Sequence, residues 1–463
     1  MSEVSEAHSV HSVTVVGASL AGHATAKALR RLGFDGDLTI VGEEDVRPYD
    51  RPPLSKDFLA GLTNEQELAL ELEDEALEAQ WLLGVRAVGL VPATQPDTAT
   101  QPNTATQLRT ATATHAVTLS DGRTVTSDAV VIATGSRARR MPGAPPGVHT
   151  VRTLADAAAL RDELRPGVRL AVIGAGFIGA EIASTARGLG IDVTVIEAAP
   201  TPLAGPLGPE MGAVVASLHA RNGVRLRCGV PVAGLLGTAR VTGVLLTDGT
   251  EVPADVVVAG IGATPAVEWL AGSGVELAPG PGGGVVCNAV GATALPGIYA
   301  VGDCSAWFDD VRGRHHRIEH WTDSRDRPSI LVGAMLGQPV TASLRPPYFW
   351  SDQYGVRIQF TGRRESGEEI TIEAGSAENA DLLAVYRRNG KPVAVLGMNQ
   401  PKLFTRWRKQ LSAPAATVAA VSAAGAQSTS WQPARELLTA GGKGRETVVA
   451  CCRTGCALRN ETE

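Results

Sequence analysis

Between an apolar strand and a helix the chain runs VIGAGFIGAE, from Val172 to Glu181. Its glycines Gly174, Gly176 and Gly179 have the spacing of a dinucleotide-binding turn. The first allows a tight exit from the strand, the second lets backbone approach a pyrophosphate, and the third lets the new helix pack closely on the sheet. A pyrophosphate then sits against the free amides of a helix N-terminus. A second strand, DVTVIE, ends in Glu197, an acid placed to accept hydrogen bonds from a ribose diol. Strand, spacing and acid together make this a dinucleotide site rather than an ordinary glycine-rich turn.

The same plan opens the chain. SVTVVGASLAGHATAKALRRLG followed by DLTIVGEE reads as strand, turn, helix and strand, with Gly17, Ser19 and Gly22 in the turn. Serine stands in for the middle glycine and is small enough to let a phosphate approach. Past the second strand, Glu43 is the candidate ribose ligand and Glu44 an equally legible neighbour. Two such folds in one chain suggest two cofactors held face to face, and a flavin with a nicotinamide would fit. The proline-stiffened RPYDRPPLSK presents Arg51 to a diphosphate and Lys56 to a flavin ring.

The 463 residues exceed a single core and suit about three domains. A net charge of −6 gives no field to draw nucleic acid. No apolar run reaches the roughly 18 residues that span a bilayer, so no membrane partner is expected. MSEVSEAHSVHS lacks the basic start and apolar stretch of a signal peptide, and a cytoplasmic protein is expected. Cys228, Cys287, Cys304, Cys451, Cys452 and Cys456 do not form a disulfide framework.

Further motifs give a family likeness. RPYDRPPLSK, the VIATG ending at Gly135, VIGAGFIGAE, GIYAVGDCS from Gly297, EHW ending at Trp321 and PYFWSDQYG from Pro347 together resemble the flavin-dependent, NADH-using ferredoxin reductases of bacterial oxygenase systems. The apoptosis-inducing-factor flavoproteins share their fold. The resemblance covers residues 12 to 410 and implies an α/β protein: two Rossmann-like domains, for FAD and NAD, of the pyridine-nucleotide-disulfide-reductase fold, with a small α+β C-terminal domain over the flavin. It implies an FAD site of Gly17, Ser19, Gly22, Glu43, Arg51, Lys56, Thr134, Gly135, Gly302 and Asp303, with Asp303 receiving the ribityl hydroxyls. Gly174, Gly176, Gly179, Glu197 and Gly262 fall to NAD. Lys56 paired with Glu181 beside the flavin, and Trp321 near the flavin edge, are the implied catalytic residues.

After Trp321 the chain departs from that family. Asp323, Ser324, Arg327 and Pro328 stand where an Asn-Ala pair and a later Gln-Gly are usual. Proline belongs near a helix start, so this helix is expected to begin later or to kink, leaving the FAD site partly filled.

The domain limits read 1–138 for the first part of the FAD domain, 139–261 for the NAD domain, 262–330 for the rest of the FAD domain, 331–411 for the C-terminal domain and 412–463 for a flexible tail. Within 92–114, QPDTAT and QPNTAT repeat in a Thr, Ala, Gln and Pro composition too polar to order, and a disordered insertion is expected. In the tail, Cys451 and Cys456 have the spacing of a redox pair, although an idle terminus is the plainer reading.

The resulting expectation is an FAD-dependent reductase carrying electrons from NADH to a ferredoxin-type iron-sulfur protein. Glu197 favours NADH over NADPH, because a 2′-phosphate would meet a like charge. Disulfide reductases and NADH oxidases share the folds but place cysteine after the first one, where this chain has none before Cys228. A redox-sensing flavoprotein is the third reading. Two basic runs, Arg312 to Arg317 and Arg406 to Lys409, are the expected docking segments for an acidic ferredoxin.

Overall fold

The computed structural model describes residues 10–71, 77–93, 114–280, 282–310, 312–340 and 346–412. Two parallel five-stranded sheets carry the two glycine turns. In the first, Ser12–Val16 lies between Asp37–Val41 and Ala129–Ile132, with Gln80–Leu82 and Ile298–Ala300 outside. In the second, Arg169–Ile173 lies between Asp192–Glu197 and Val256–Ala259, with Arg225–Cys228 and Val148–His149 outside. The central strands read VTVV and LAVI without alternation and are buried on both faces, as a parallel sheet covered by helices requires. Each runs through its glycine turn into a helix, Leu20–Arg31 or Phe177–Gly188.

The first sheet is completed only by Ile298–Ala300, after the second sheet has been built. The chain leaves through Ser136–Ala138 and returns through Ala263–Pro265, and these two connections pair antiparallel. Each sheet also carries a three-stranded antiparallel flap. The one before Ala129–Ile132 turns at Asp121 and Gly122, where a φ of 87° needs glycine. The expected insertion falls largely on residues 94–113, and the tail with its cysteines on 413–463; both lie outside the described residues.

From Tyr348 a five-stranded antiparallel sheet follows, its last hairpin turning at Asn389 and Gly390 with φ of 51° and 73°, the twist-matched two-residue turn. The Pro401–Leu411 helix lays Phe404 against this sheet. The opposite apolar cluster joins Ile358, Tyr386 and Leu396 to Met211, Val215 and Leu218 of the Pro209–Arg221 helix, so the C-terminal sheet rests on the second fold.

Of the two alternatives expected at Pro328, the later helix start is corrected. The helix after His320 begins at Trp321 and runs to Met335 with Pro328 inside it. An Asp323 to Arg327 ion pair one turn apart, at 2.9 Å, supports the segment ahead of the proline.

Candidate functional site

The two turns share one geometry. Gly17 has a φ of 127°, and a Cβ there would lie 2.1 Å from the Ala133 carbonyl oxygen; Gly174, at 102°, would meet Gly260 at 2.3 Å. Gly22 and Gly179 face the carbonyls of Gly17 and Gly174, where a Cβ would stand at 1.9 and 2.1 Å. Gly176 is different, since nothing lies within 4 Å of its Cβ position. It borders the space that a pyrophosphate would fill. Ser19 stands at the matching place in the first turn, and its side chain makes no capping bond, so its hydroxyl is available to a phosphate.

The acids do not match. The Gly17 amide donates to Val41 and the Gly174 amide to Ile196, which aligns Gly42 with Glu197. Glu197 accepts the Ala175 amide from the turn itself and the Ala199 amide, each at 2.9 Å. In the first fold a Cβ at Gly42 would lie 2.6 Å from Ala18, and the acids come one and two residues later. Glu43 is exposed and pairs with Arg137 at 2.7 Å. Glu44 accepts the Tyr49 hydroxyl and Arg51, both at 2.6 Å. Arg51 also donates to the Arg152 carbonyl, so its guanidinium ties the proline loop to this strand end.

Asp303 is half-buried and accepts Arg152 at 2.9 Å and Ser136 at 3.1 Å. Sequence reasoning missed Arg152, although a capping box signals its position: Thr153 and Asp156 open the next helix directly after it. Thr134 donates to the Ala266 carbonyl at 2.6 Å. Gly135, Gly262 and Gly302 all have positive φ, of 67°, 92° and 79°, at strand ends around the two turns.

Between the folds lies a buried charge pair. Lys56 from the proline loop meets Glu181 of the Phe177–Gly188 helix at 2.7 Å, and the Glu181 residue is 3% exposed. The carboxylate also accepts Ser55 at 2.5 Å, Ser351 at 2.8 Å and the Asp352 amide at 3.3 Å. Every lone-pair direction is thus taken, the condition under which a buried pair is tolerated. Ser55 and Ser351 went unnoticed in the sequence, because only the fold brings their segments together.

Trp321 donates its indole N–H to Asp50 at 2.7 Å and meets Trp350 edge to face, with centroids 5.8 Å apart. Burial raises the Asp50 carboxyl, opposed by the Trp321 hydrogen bond and the Lys56 charge. Arg325 lies 5.0 Å over the Trp321 ring and Arg408 4.0 Å over Tyr348. With Arg357 and Asp326 these side chains wall a surface cavity of about 330 Å³.

The cysteines of the described segments are poor nucleophiles. Cys287 and Cys304 are buried, which pushes both thiols up, and Cys228 is raised by burial and by Glu197. Among the described residues no helix is long and apolar enough to cross a membrane.

Comparison with known proteins follows the same outline. The family model for pyridine nucleotide-disulphide oxidoreductases matches residues 11–327, and that for the reductase C-terminal domain residues 348–430. The ferredoxin-NAD(+) reductase component of the biphenyl dioxygenase system of Paraburkholderia xenovorans is 34% identical over 86% of this chain and 92% of its own. Putidaredoxin reductase of Pseudomonas putida is 34% identical over 85% of this chain and 90% of its own. Among solved structures, the covalent putidaredoxin reductase-putidaredoxin complex superposes with a TM-score of 0.76 at 32% identity, covering 87% of this chain and 93% of that one.

Proposed function

Because the chain belongs to the pyridine nucleotide-disulphide oxidoreductase family, together with the ferredoxin-NAD(+) reductases of oxygenase systems, we propose that it is an FAD-dependent reductase that passes electrons from NADH to a ferredoxin-type iron-sulfur protein. The observation that carries this reading is the Lys56 to Glu181 pair, which locks the loop beside the first turn to the helix of the second. The first fold is read as the FAD domain, 1–138 with 262–330, and the second, 139–261, as the NAD domain. The paired connections Ser136–Ala138 and Ala263–Pro265 support those limits.

The residues fit the two nucleotides. Gly17, Ser19 and the following helix offer amides and a hydroxyl to the FAD pyrophosphate, Glu43 an acceptor to its ribose, and Asp303 an acceptor at the end of the neighbouring strand. FAD, when bound, supplies the step from two-electron donor to one-electron acceptor. Lys56 presents a positive charge held in place by Glu181, and Trp321, held by Asp50, shields the outer side. Glu197 favours NADH, and Arg187, the cation nearest in sequence, turns away to the Asn222 carbonyl at 2.8 Å. The buried cysteines argue against disulfide exchange in the described segments.

The docking face for the acidic partner is the surface around Trp321 and Trp350, where Arg408 lies beside Arg325 and Arg357, which themselves face Asp326 and Asp352, each at 3.5 Å. This keeps the Arg406 to Lys409 run. The Arg312 to Arg317 run lies outside this cavity, with Arg314 facing Glu365 and Arg317 paired with Glu319. Anaerobic NADH reduction of the purified yellow protein, followed by turnover with a ferredoxin and with a small neutral acceptor, tests the whole reading. Ferredoxin turnover should fall steeply with salt and in an Arg406, Arg408 and Lys409 to Glu triple variant, while the neutral acceptor is unaffected. A flavin that NADH does not reduce refutes the activity; equal ferredoxin kinetics in the triple variant move the docking face.

A further inference from the structure

We infer that Ser351, oriented by Gln353, is a positioning residue for Lys56: through Glu181, the C-terminal sheet fixes the ammonium that the proposed reaction sets beside the flavin. Ser351 and Gln353 lie two apart on the Tyr348–Gln353 strand, so both project to one face. Both are fully buried, at 0% and 1% exposure, where an inner strand face ordinarily carries apolar side chains. Polar groups retained there act as a set.

The set has a direction. The Gln353 amide nitrogen donates to the Ser351 hydroxyl at 3.0 Å, and that hydroxyl lies 2.8 Å from Glu181 Oε1. A carboxylate only accepts, so the serine donates its hydrogen to Glu181, and the Gln353 NH₂ takes a serine lone pair while the buried Gln353 Oε1 has no hydrogen-bond partner among the described residues. The Asp352 amide, at 3.3 Å, holds the same oxygen. With Oε1 anchored to the sheet, Oε2 is turned to Ser55 and Lys56 at 2.5 and 2.7 Å. Lysine is a point charge on a four-carbon stem with no preferred direction of its own. Its aim is therefore set by the carboxylate, and the aim of the carboxylate by Ser351. A unit remote from both nucleotide turns in sequence thereby fixes a charge between them.

This rests on the reading of Lys56 as a residue of the flavin site, and the test keeps the two apart. FAD content and melting temperature are measured first, then the anaerobic rate of flavin reduction by NADH, for wild type, Ser351→Ala, Ser351→Thr, Lys56→Met and the Ser351→Ala, Lys56→Met double variant. Loss of one directed hydrogen bond should slow reduction about tenfold in Ser351→Ala, and Ser351→Thr, which keeps the hydroxyl, should restore it. In the Lys56→Met background Ser351→Ala should change the rate less than about twofold, because the group it positions is gone. The same fold-loss in both backgrounds, or a wild-type rate in Ser351→Ala, overturns the inference. If Ser351→Ala does not retain FAD, Gln353→Met takes its place in the cycle, since it leaves the hydroxyl but removes the donor that orients it, with a smaller loss of the same pattern expected. A wild-type flavin that NADH cannot reduce is instead the failure of the proposed function.

Discussion

Overlaid through their central strands, Ser12–Val16 and Arg169–Ile173, the two nucleotide folds agree at the glycines and part just beyond them. Ala21 corresponds to Ile178, the second residue of each helix, yet Ala21 is 6% exposed and Ile178 50%. A Cβ at Gly302 would lie 2.9 Å from that of Ala21, so the returning strand end closes over the first helix. Thr134, bonded to the Ala266 carbonyl, corresponds to the exposed Ile261. The first site is walled in, as suits a nucleotide that stays. The second is open and rimmed by apolar side chains, as suits one that binds, reacts and leaves. The same turn geometry is thus covered at one helix N-terminus and left open at the other.

The largest expected effects come from breaking one turn at a time. Gly17→Ala and Gly174→Ala each force a side chain into a positive φ and onto a carbonyl 2.1 or 2.3 Å away, at a cost above about 4 kcal/mol. If the first site retains and the second exchanges, Gly17→Ala should yield little FAD-bearing protein. Gly174→Ala should keep its yellow colour and lose reduction by NADH. Equal loss of flavin absorbance in both would show that the two folds do not stand independently.

A smaller effect probes what only the second fold carries. His219, on the Pro209–Arg221 helix, is buried against the C-terminal sheet with Nδ1 2.7 Å from the Tyr354 hydroxyl, and burial lowers its pKa to about 4. An imidazole whose folded pKa lies below the ordinary 6.5 favours folding fully above pH 6.5. That contribution is lost as the pH falls from 6.5 towards 4, because the unfolded chain takes up the proton first. Roughly 2 kcal/mol should be gone by pH 5. The melting temperature should drop between pH 7.5 and 5 more in wild type than in His219→Gln. Parallel curves would mean that another group governs the acid limb.

Much of this was legible in the residues, and the exceptions have physical causes. Gly174, Gly176, Gly179 and Glu197 are read from sequence because the turn, its amides and its acid lie within one strand-helix-strand unit. The hairpins at Gly122 and Asn389 are equally local. Ser351 is not readable in this way, since a serine in FWSDQ acquires a role only when Glu181, 170 residues earlier, is folded against it. Arg51 reads as a phosphate ligand because its loop is basic, and its contacts with Glu44 and the Arg152 carbonyl become visible only in the fold. The later helix start read from Pro328 fails for the opposite reason: local propensity argues against a helix there that packing on the Leu20–Arg31 helix sustains.

The smallest expected effect separates the two acids that the sequence leaves equivalent. Glu44 is half-buried and joins Arg51 to Tyr49, whose oxygen in turn accepts the Leu154 amide at 2.8 Å. It therefore ties the proline loop, and Lys56 with it, to the start of the next helix. Glu43 and its partner Arg137 are about half exposed, at 54% and 46% of their side-chain areas, and such a pair contributes less than about 1 kcal/mol. Glu44→Gln should cost about 1 kcal/mol and lower the melting temperature by a few degrees. Glu43→Gln should leave it unchanged and instead weaken FAD retention on dialysis, because a neutral amide is a poorer acceptor for the ribose diol. If Glu44→Gln is the variant that loses FAD at unchanged stability, the ribose acid is Glu44. The walled character of the first site would then owe nothing to the proline loop.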